Sequence, residues 1–148
     1  MNKTNLGWKY LLTASLISTF SFAAEPSKPV KAVVTYVIDG DTVAIEAKWI
    51  PLPMKPVISV RVYGVDTPEK SFRAKCESEA EMGEKATEFT KDLIAKAKTI
   101  EVSYYSWDKY GGRVLGDLLL DKKSLRASLI NNGFAREYFG DAKQSWCE

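Results

Sequence analysis

Val30-Lys31-Ala32-Val33-Val34-Thr35-Tyr36-Val37-Ile38-Asp39-Gly40-Asp41-Thr42-Val43-Ala44-Ile45-Glu46 holds two runs of strand composition around one turn signal. Val30 to Ile38 is rich in β-branched residues, which suit a pleated, half-buried surface. Asp39-Gly40 is a pair that tight hairpins favour, and Thr42 to Glu46 alternates apolar and polar side chains. Two paired antiparallel strands follow. Pro51, Pro53 and Pro56 bar regular structure between Trp49 and Lys55, because proline cannot donate to a ladder. Val57 to Tyr63 then alternates again as a third strand.

The period changes downstream. Ala86, Phe89, Thr90, Leu93, Ile94 and Ala97 recur at helical spacing, and Ser78 with Glu81 has the form of a capping box, so Glu79 to Ala97 reads as one amphipathic helix. Thr99 to Trp107 and Val114 to Leu120 return to strand composition on either side of an Asp108-Lys109-Tyr110-Gly111-Gly112 turn. Ser124 to Asn132 reads as a short helix that Gly133 ends. Beyond Phe134 the pattern fades. The expected fold is mainly β with helices (α+β): a five-stranded OB-type barrel with a long helix between strands 3 and 4 and a short C-terminal helix. Other mixed α+β folds can use the same elements.

The 148 residues, 45% hydrophobic and 27% charged, suit one domain. The sequence has no histidine, which excludes imidazole bases, Ser-His-Asp triads and His-rich zinc sites, and two cysteines are too few for a Cys-based zinc site. Chemistry must rest on carboxylates, arginines, tyrosines or a hard cation. Lys3 and Lys9, the apolar run Leu11 to Phe22 and the small-residue pattern Ser21-Phe22-Ala23 predict a signal peptide over residues 1–23, with Ala24 as an alternative cut site. The apolar run is about half of the ~20 residues that a membrane span requires. Residues 24–29 then form a flexible linker, and 30–148 the domain. Without Lys3 and Lys9 the 21 basic residues become 19, against 19 acidic ones. Attraction to a polyanion must therefore come from a local patch. Export would take Cys76 and Cys147 into an oxidising compartment, where an even pair favours a disulfide, worth up to about 4 kcal/mol in the chain-entropy model, over the alternative of two unpaired thiols.

Three segments could carry chemistry. Asp39-Gly40-Asp41-Thr42 also reads as a plain hairpin turn with solvated acids. In Arg61-Val62-Tyr63-Gly64-Val65-Asp66-Thr67-Pro68-Glu69, Arg61 sits within a strand on the face opposite Val60 and Val62, where a strand of this type rarely needs charge. Asp66 to Glu69 alone would pass as helix-start chemistry. If the barrel sets the first hairpin beside the end of the third strand, the acids and the arginine converge. Asp108 to Arg113 alone reads as a polar hairpin tip.

Together, and in this order, the three segments resemble the D-G-D-T, R-x-x-G-V-D-T-P-E and D-x-Y-G-R blocks of the staphylococcal nuclease family, the thermonucleases, from about Val34 to Gly133. The resemblance implies that Asp41, Asp66 and the backbone carbonyl of Thr67 hold calcium, with Asp39 as a supporting acid. It implies that Glu69 positions or deprotonates the attacking water and that Arg61 and Arg113 grip the scissile phosphate. Calcium suits hard oxygen ligands with room for waters and substrate, and the forked donors of arginine match phosphate oxygens. The expected activity is a secreted or periplasmic calcium-dependent nuclease acting on DNA and RNA and leaving 3′-phosphate ends. The alternative is an inactive OB-fold module that binds nucleic acid without cutting it. Tyr110 and Tyr138 are candidates for stacking on bases, although core packing explains tyrosines as readily. The chain is taken as a monomer with no stable protein partner and no membrane contact after signal cleavage.

Two departures from the family pattern matter. Gly111-Gly112 inserts one residue before Arg113, and an uncompensated insertion would turn that side chain to the other face unless a glycine bulge absorbs it. The segment after Gly140 is short and polar for the family's final helix, and a Cys76–Cys147 bond would tie it down instead.

Overall fold

The computed structural model describes residues 25–48, 56–109 and 111–147. The expected signal peptide, the irregular segment 49–55 and Tyr110 lie outside these. Among the described residues, nine strands and two helices run in chain order as β1 (Val30–Lys31), β2 (Val34–Asp39), β3 (Thr42–Glu46), β4 (Val57–Val62), β5 (Val65–Asp66), a 3₁₀ turn (Ser71–Arg73), α1 (Glu77–Lys96), β6 (Ile100–Trp107), β7 (Arg113–Leu120), β8 (Lys123–Ser124), α2 (Leu125–Asn131) and β9 (Arg136–Glu137). The five longer strands are those the sequence predicts. The four two-residue strands β1, β5, β8 and β9 are too short to leave a periodic signal.

The main sheet has the order β1-β6-β7-β4-β3-β2, with β8 on β7, and β4 runs parallel to β7 while its other pairs are antiparallel. Its two end strands are neighbours in the chain. The predicted strand Val30 to Ile38 is broken at Ala32-Val33 because its halves serve opposite ends of the sheet: Ala32 N–H donates to Ile100 O at 3.0 Å, and Val33 O accepts from Glu46 N–H at 2.9 Å. The sheet thus curls until its ends meet, the OB-like mixed α+β arrangement. Upstream, Ser27 N–H donates to Tyr104 O at 2.7 Å. Val43, Ile45, Val60, Val62, Val102 and Leu118 fill the interior, closed by Leu125 and Leu129 of α2. Phe89, Leu93 and Ile94 of α1, with Ala97 just after it, pack on this core, as their spacing predicts.

Two local expectations are corrected. The hairpin turns at Gly40-Asp41 rather than Asp39-Gly40, and Gly40 does not adopt positive φ. Glycine is needed there for room, since a Cβ would meet Ala86 Cβ at 2.9 Å and Thr67 at 3.2 Å. The capping box is not Ser78 with Glu81, because α1 starts two residues earlier, after Cys76. Glu79, buried at the third helical position, instead accepts from Lys75 N–H at 2.7 Å and Glu69 N–H at 3.4 Å.

Helix α1 also positions the segment after β5. A Cβ on Gly83 would stand 2.4 Å from Glu69 O and 2.9 Å from Lys70 N, so only glycine lets this backbone lie against the helix. Gly83→Ala is expected to destabilise the fold by about 1–3 kcal/mol, because backbone on both sides must shift. Urea unfolding measures this, and a midpoint within error of wild type would show that the contact relaxes without cost.

Candidate active site

Three buried aspartates reach one end of the sheet from two chain segments. Asp39 ends β2 and Asp41 lies in the turn, where Asp41 O accepts from Val62 N–H at 2.7 Å and Gly40 O accepts from the Thr90 hydroxyl of α1 at 2.7 Å. Asp66 ends β5, paired across from Arg136 of β9. Arg61 of β4 is the cross-strand partner of Thr42 and lies between the two segments. Its Nη1 donates to Asp41 Oδ1 at 2.9 Å, and its Nη2 is 3.9 Å from Asp66 Oδ1. Asp41 Oδ1 also accepts from the Thr42 hydroxyl at 2.8 Å. Asp41 Oδ2 and Asp39 Oδ1 are buried without a hydrogen-bond partner.

A cavity of about 610 Å³ opens above them, lined by Asp39, Arg61, Glu69, Arg113, Tyr138 and Lys143 among others. Asp41, at 1% exposure, does not line it, and Asp66 opens instead on an adjoining recess of about 180 Å³ beside Tyr138. Gly111 and Gly112 both take positive φ, 69° and 65°, just before β7, and Arg113 lines the same cavity as Arg61. Arg113 Nε donates to Asp108 Oδ2 at 2.7 Å. Thr67 is buried against Gly40.

Several residues at the site carried no readable signal. Arg73, on the 3₁₀ turn, contacts Asp39 Oδ2 at 3.1 Å and Glu69 Oε2 at 3.5 Å. Lys143 Nζ lies 2.6 Å from Asp66 Oδ1 and 3.8 Å from Glu69 Oε1. Trp146 Nε1 donates to Asp66 Oδ2 at 3.1 Å. Trp107 and Phe139, large and exposed, line the cavity beside Tyr138. The β5–β9 pairing that delivers this tail spans only two residues on each side. Cys76 and Cys147 are joined, with Cα atoms 6.0 Å apart.

The donor chemistry fits a hard divalent cation: buried carboxylate oxygens without donors, no histidine and no free thiol among the described residues. In this structure cationic side chains stand among the acids. Among the described residues, the trio of ligand atoms within 4.8 Å of one another is Cys76, Glu79 and Cys147, whose sulfurs are spent in the disulfide.

Burial pushes the Asp41 carboxyl up to about 7, against the pull of Arg61 and with a further push from Asp39. A raised folded-state value means that the folded protein keeps a proton which the unfolded chain releases near pH ~4. The resulting stabilisation is complete below that pH and is lost as pH rises through about 7. Asp41→Asn is therefore expected to raise Tm at pH 8, in chelator, by about 3 °C or more, and to change it little at pH 4. Thermal unfolding at both pH values decides, and equal shifts would place the cause elsewhere.

Residues 59–146 match the family described as Staphylococcal nuclease homologue. An uncharacterised lipoprotein, MG186, of Mycoplasma genitalium is 33% identical over 120 residues, covering 75% of this chain and 46% of its own length. Uncharacterised endonucleases of Escherichia coli and of Escherichia coli O157:H7 are each 28% identical over 106 residues, covering 71% of this chain and 59% of theirs. The chain thus spans about half the length of these curated relatives. With more than half of its residues matched, and with the OB-like fold and the acid and arginine cluster in place, the chain belongs to the staphylococcal nuclease family.

Proposed function

We propose that the protein is a nuclease that hydrolyses phosphodiester bonds of DNA and RNA with calcium as its cofactor. The observation that carries this reading is the placement of Arg61 and Glu69 from one segment and Arg113 from another on one cavity beside buried aspartates.

A phosphodiester in the cavity would place its nonbridging oxygens toward the two guanidiniums, which gain most as negative charge builds on those oxygens in the transition state. Asp108 orients Arg113 from the side. Glu69 accepts a proton from the attacking water, and Arg73 fixes one of its oxygens. The 5′ oxygen leaves, so the phosphate stays on the 3′ end. Asp41, Asp66 and the Thr67 carbonyl would hold calcium, which supplies Lewis-acid neutralisation of the phosphate when bound. Trp107, Tyr138 and Phe139 give apolar faces on which bases can stack without regard to sequence, a property that suits single strands. The disulfide suits an exported, periplasmic or extracellular protein. Among the described residues, no helix is long and apolar enough to cross a membrane.

The competing reading, a module that binds without cutting, separates in one experiment. Single-stranded DNA incubated with the protein is expected to be cleaved in calcium and left intact in chelator, whereas DNA that is retarded but unbroken in both would favour the binding module. Arg61→Ala is expected to lower turnover by about three powers of ten, because it removes donors used mainly in the transition state. Digestion at the wild-type rate would remove Arg61 from the mechanism.

A further inference from the structure

The last described residues, 141–147, form neither helix nor strand, yet they are fastened at several points. Cys147 is bonded to Cys76, just before α1. Trp146 is 93% buried, with the Arg136 guanidinium 3.9 Å from its ring centroid, and Ser145 O accepts from Arg136 Nη1 at 2.8 Å. From this strap Trp146 takes one oxygen of Asp66, and Lys143 takes the other at 2.6 Å. Both oxygens of the carboxylate that the proposed function assigns to calcium are therefore engaged by the tail.

The two contacts differ in kind. Trp146 is neutral and buried, so it orients Asp66 without opposing a cation. Lys143 is 40% exposed at its side chain and carries a full charge on a flexible stem. Four carboxylates, Asp39, Asp41, Asp66 and Glu69, face three cations, Arg61, Arg73 and Lys143. With all groups ionised, one negative charge is left uncompensated, and without Lys143 there would be two.

We propose that Lys143 is a tethered counter-ion that competes with the divalent cation for Asp66, so that the disulfide-anchored tail sets the cation affinity of the site. The inference rests on the functional reading of Asp66 as a cation ligand. A divalent ion arriving at Asp66 must displace the ammonium or bear its repulsion at close range, and either lowers affinity. Lys143 is on this view a positioning residue: it holds Asp66 and Glu69 in the cation-free protein and yields when the cation enters.

Calcium titration calorimetry on the disulfide-bonded protein, at low ionic strength and without nucleic acid, tests this. Lys143→Met is expected to bind calcium more tightly than wild type, on the order of tenfold, and Lys143→Arg to stay within about twofold of wild type. Thermal unfolding in chelator checks that both variants fold. Lys143→Met binding calcium no more tightly than wild type would overturn the competition while leaving the nuclease reading intact, and a Tm loss without tighter binding would mark Lys143 as purely structural. A folded wild type that takes up no calcium would overturn both the calcium reading and the competition.

Discussion

The bridge from Arg61 to Asp41 and Asp66 is the interaction around which the rest of the site is arranged. Asp41 is 1% exposed and Asp66 5%, and carboxylates at that depth are costly unless cations or donors answer them. A single guanidinium on the central strand β4 answers both, since one prong reaches the hairpin turn and the other reaches the end of β5. Strand β4 can serve this way because it lies between β3 and β7 and is pinned on both edges. The cost is only partly offset: burial still outweighs Arg61 at Asp41, and Asp41 Oδ2 and Asp39 Oδ1 are buried without a hydrogen-bond partner. Such residual strain is expected where a protein keeps oxygen donors ready for a cation.

Much of this was legible in the residues. The alternation around Arg61 assigns it to the face opposite Val60 and Val62, and Asp66 and Glu69 follow within the same short segment, so local geometry carries all three to one end of the strand. The helix α1 is readable because positions on one face recur at helical spacing for about three turns, from Ala86 to Ala97. Arg113 was ambiguous for a definite reason: the effect of an inserted glycine depends on backbone φ, which composition does not reveal. Both glycines turn out left-handed, and the strand restarts with Arg113 aimed at the cavity.

The unreadable part shares one property, dependence on contacts between distant segments. Lys143 and Trp146 look like an unremarkable polar tail until the two-residue β5–β9 pairing and the disulfide place them on Asp66, more than seventy positions earlier. By sequence Gly40 is a turn former, whereas its service is to let the hairpin, Thr67 and α1 approach one another. Glu79 looked like an ordinary helix residue, yet it ties the backbone of Glu69 to the helix start. Arg73 gave no sign because a 3₁₀ turn has no sequence period.

The corner at Ala32-Val33 joins the two ends of the sheet through a span of two residues. A strand ladder with free edges can slide by two residues and keep its inner and outer faces. Here a slide of β1 along β6 would drag β2 along β3 by the same amount and carry Asp39 away from Arg73. The corner therefore works as a gauge block: spacing on the far side of the sheet fixes spacing at the acids, and sliding motions are excluded from the motions open to the site.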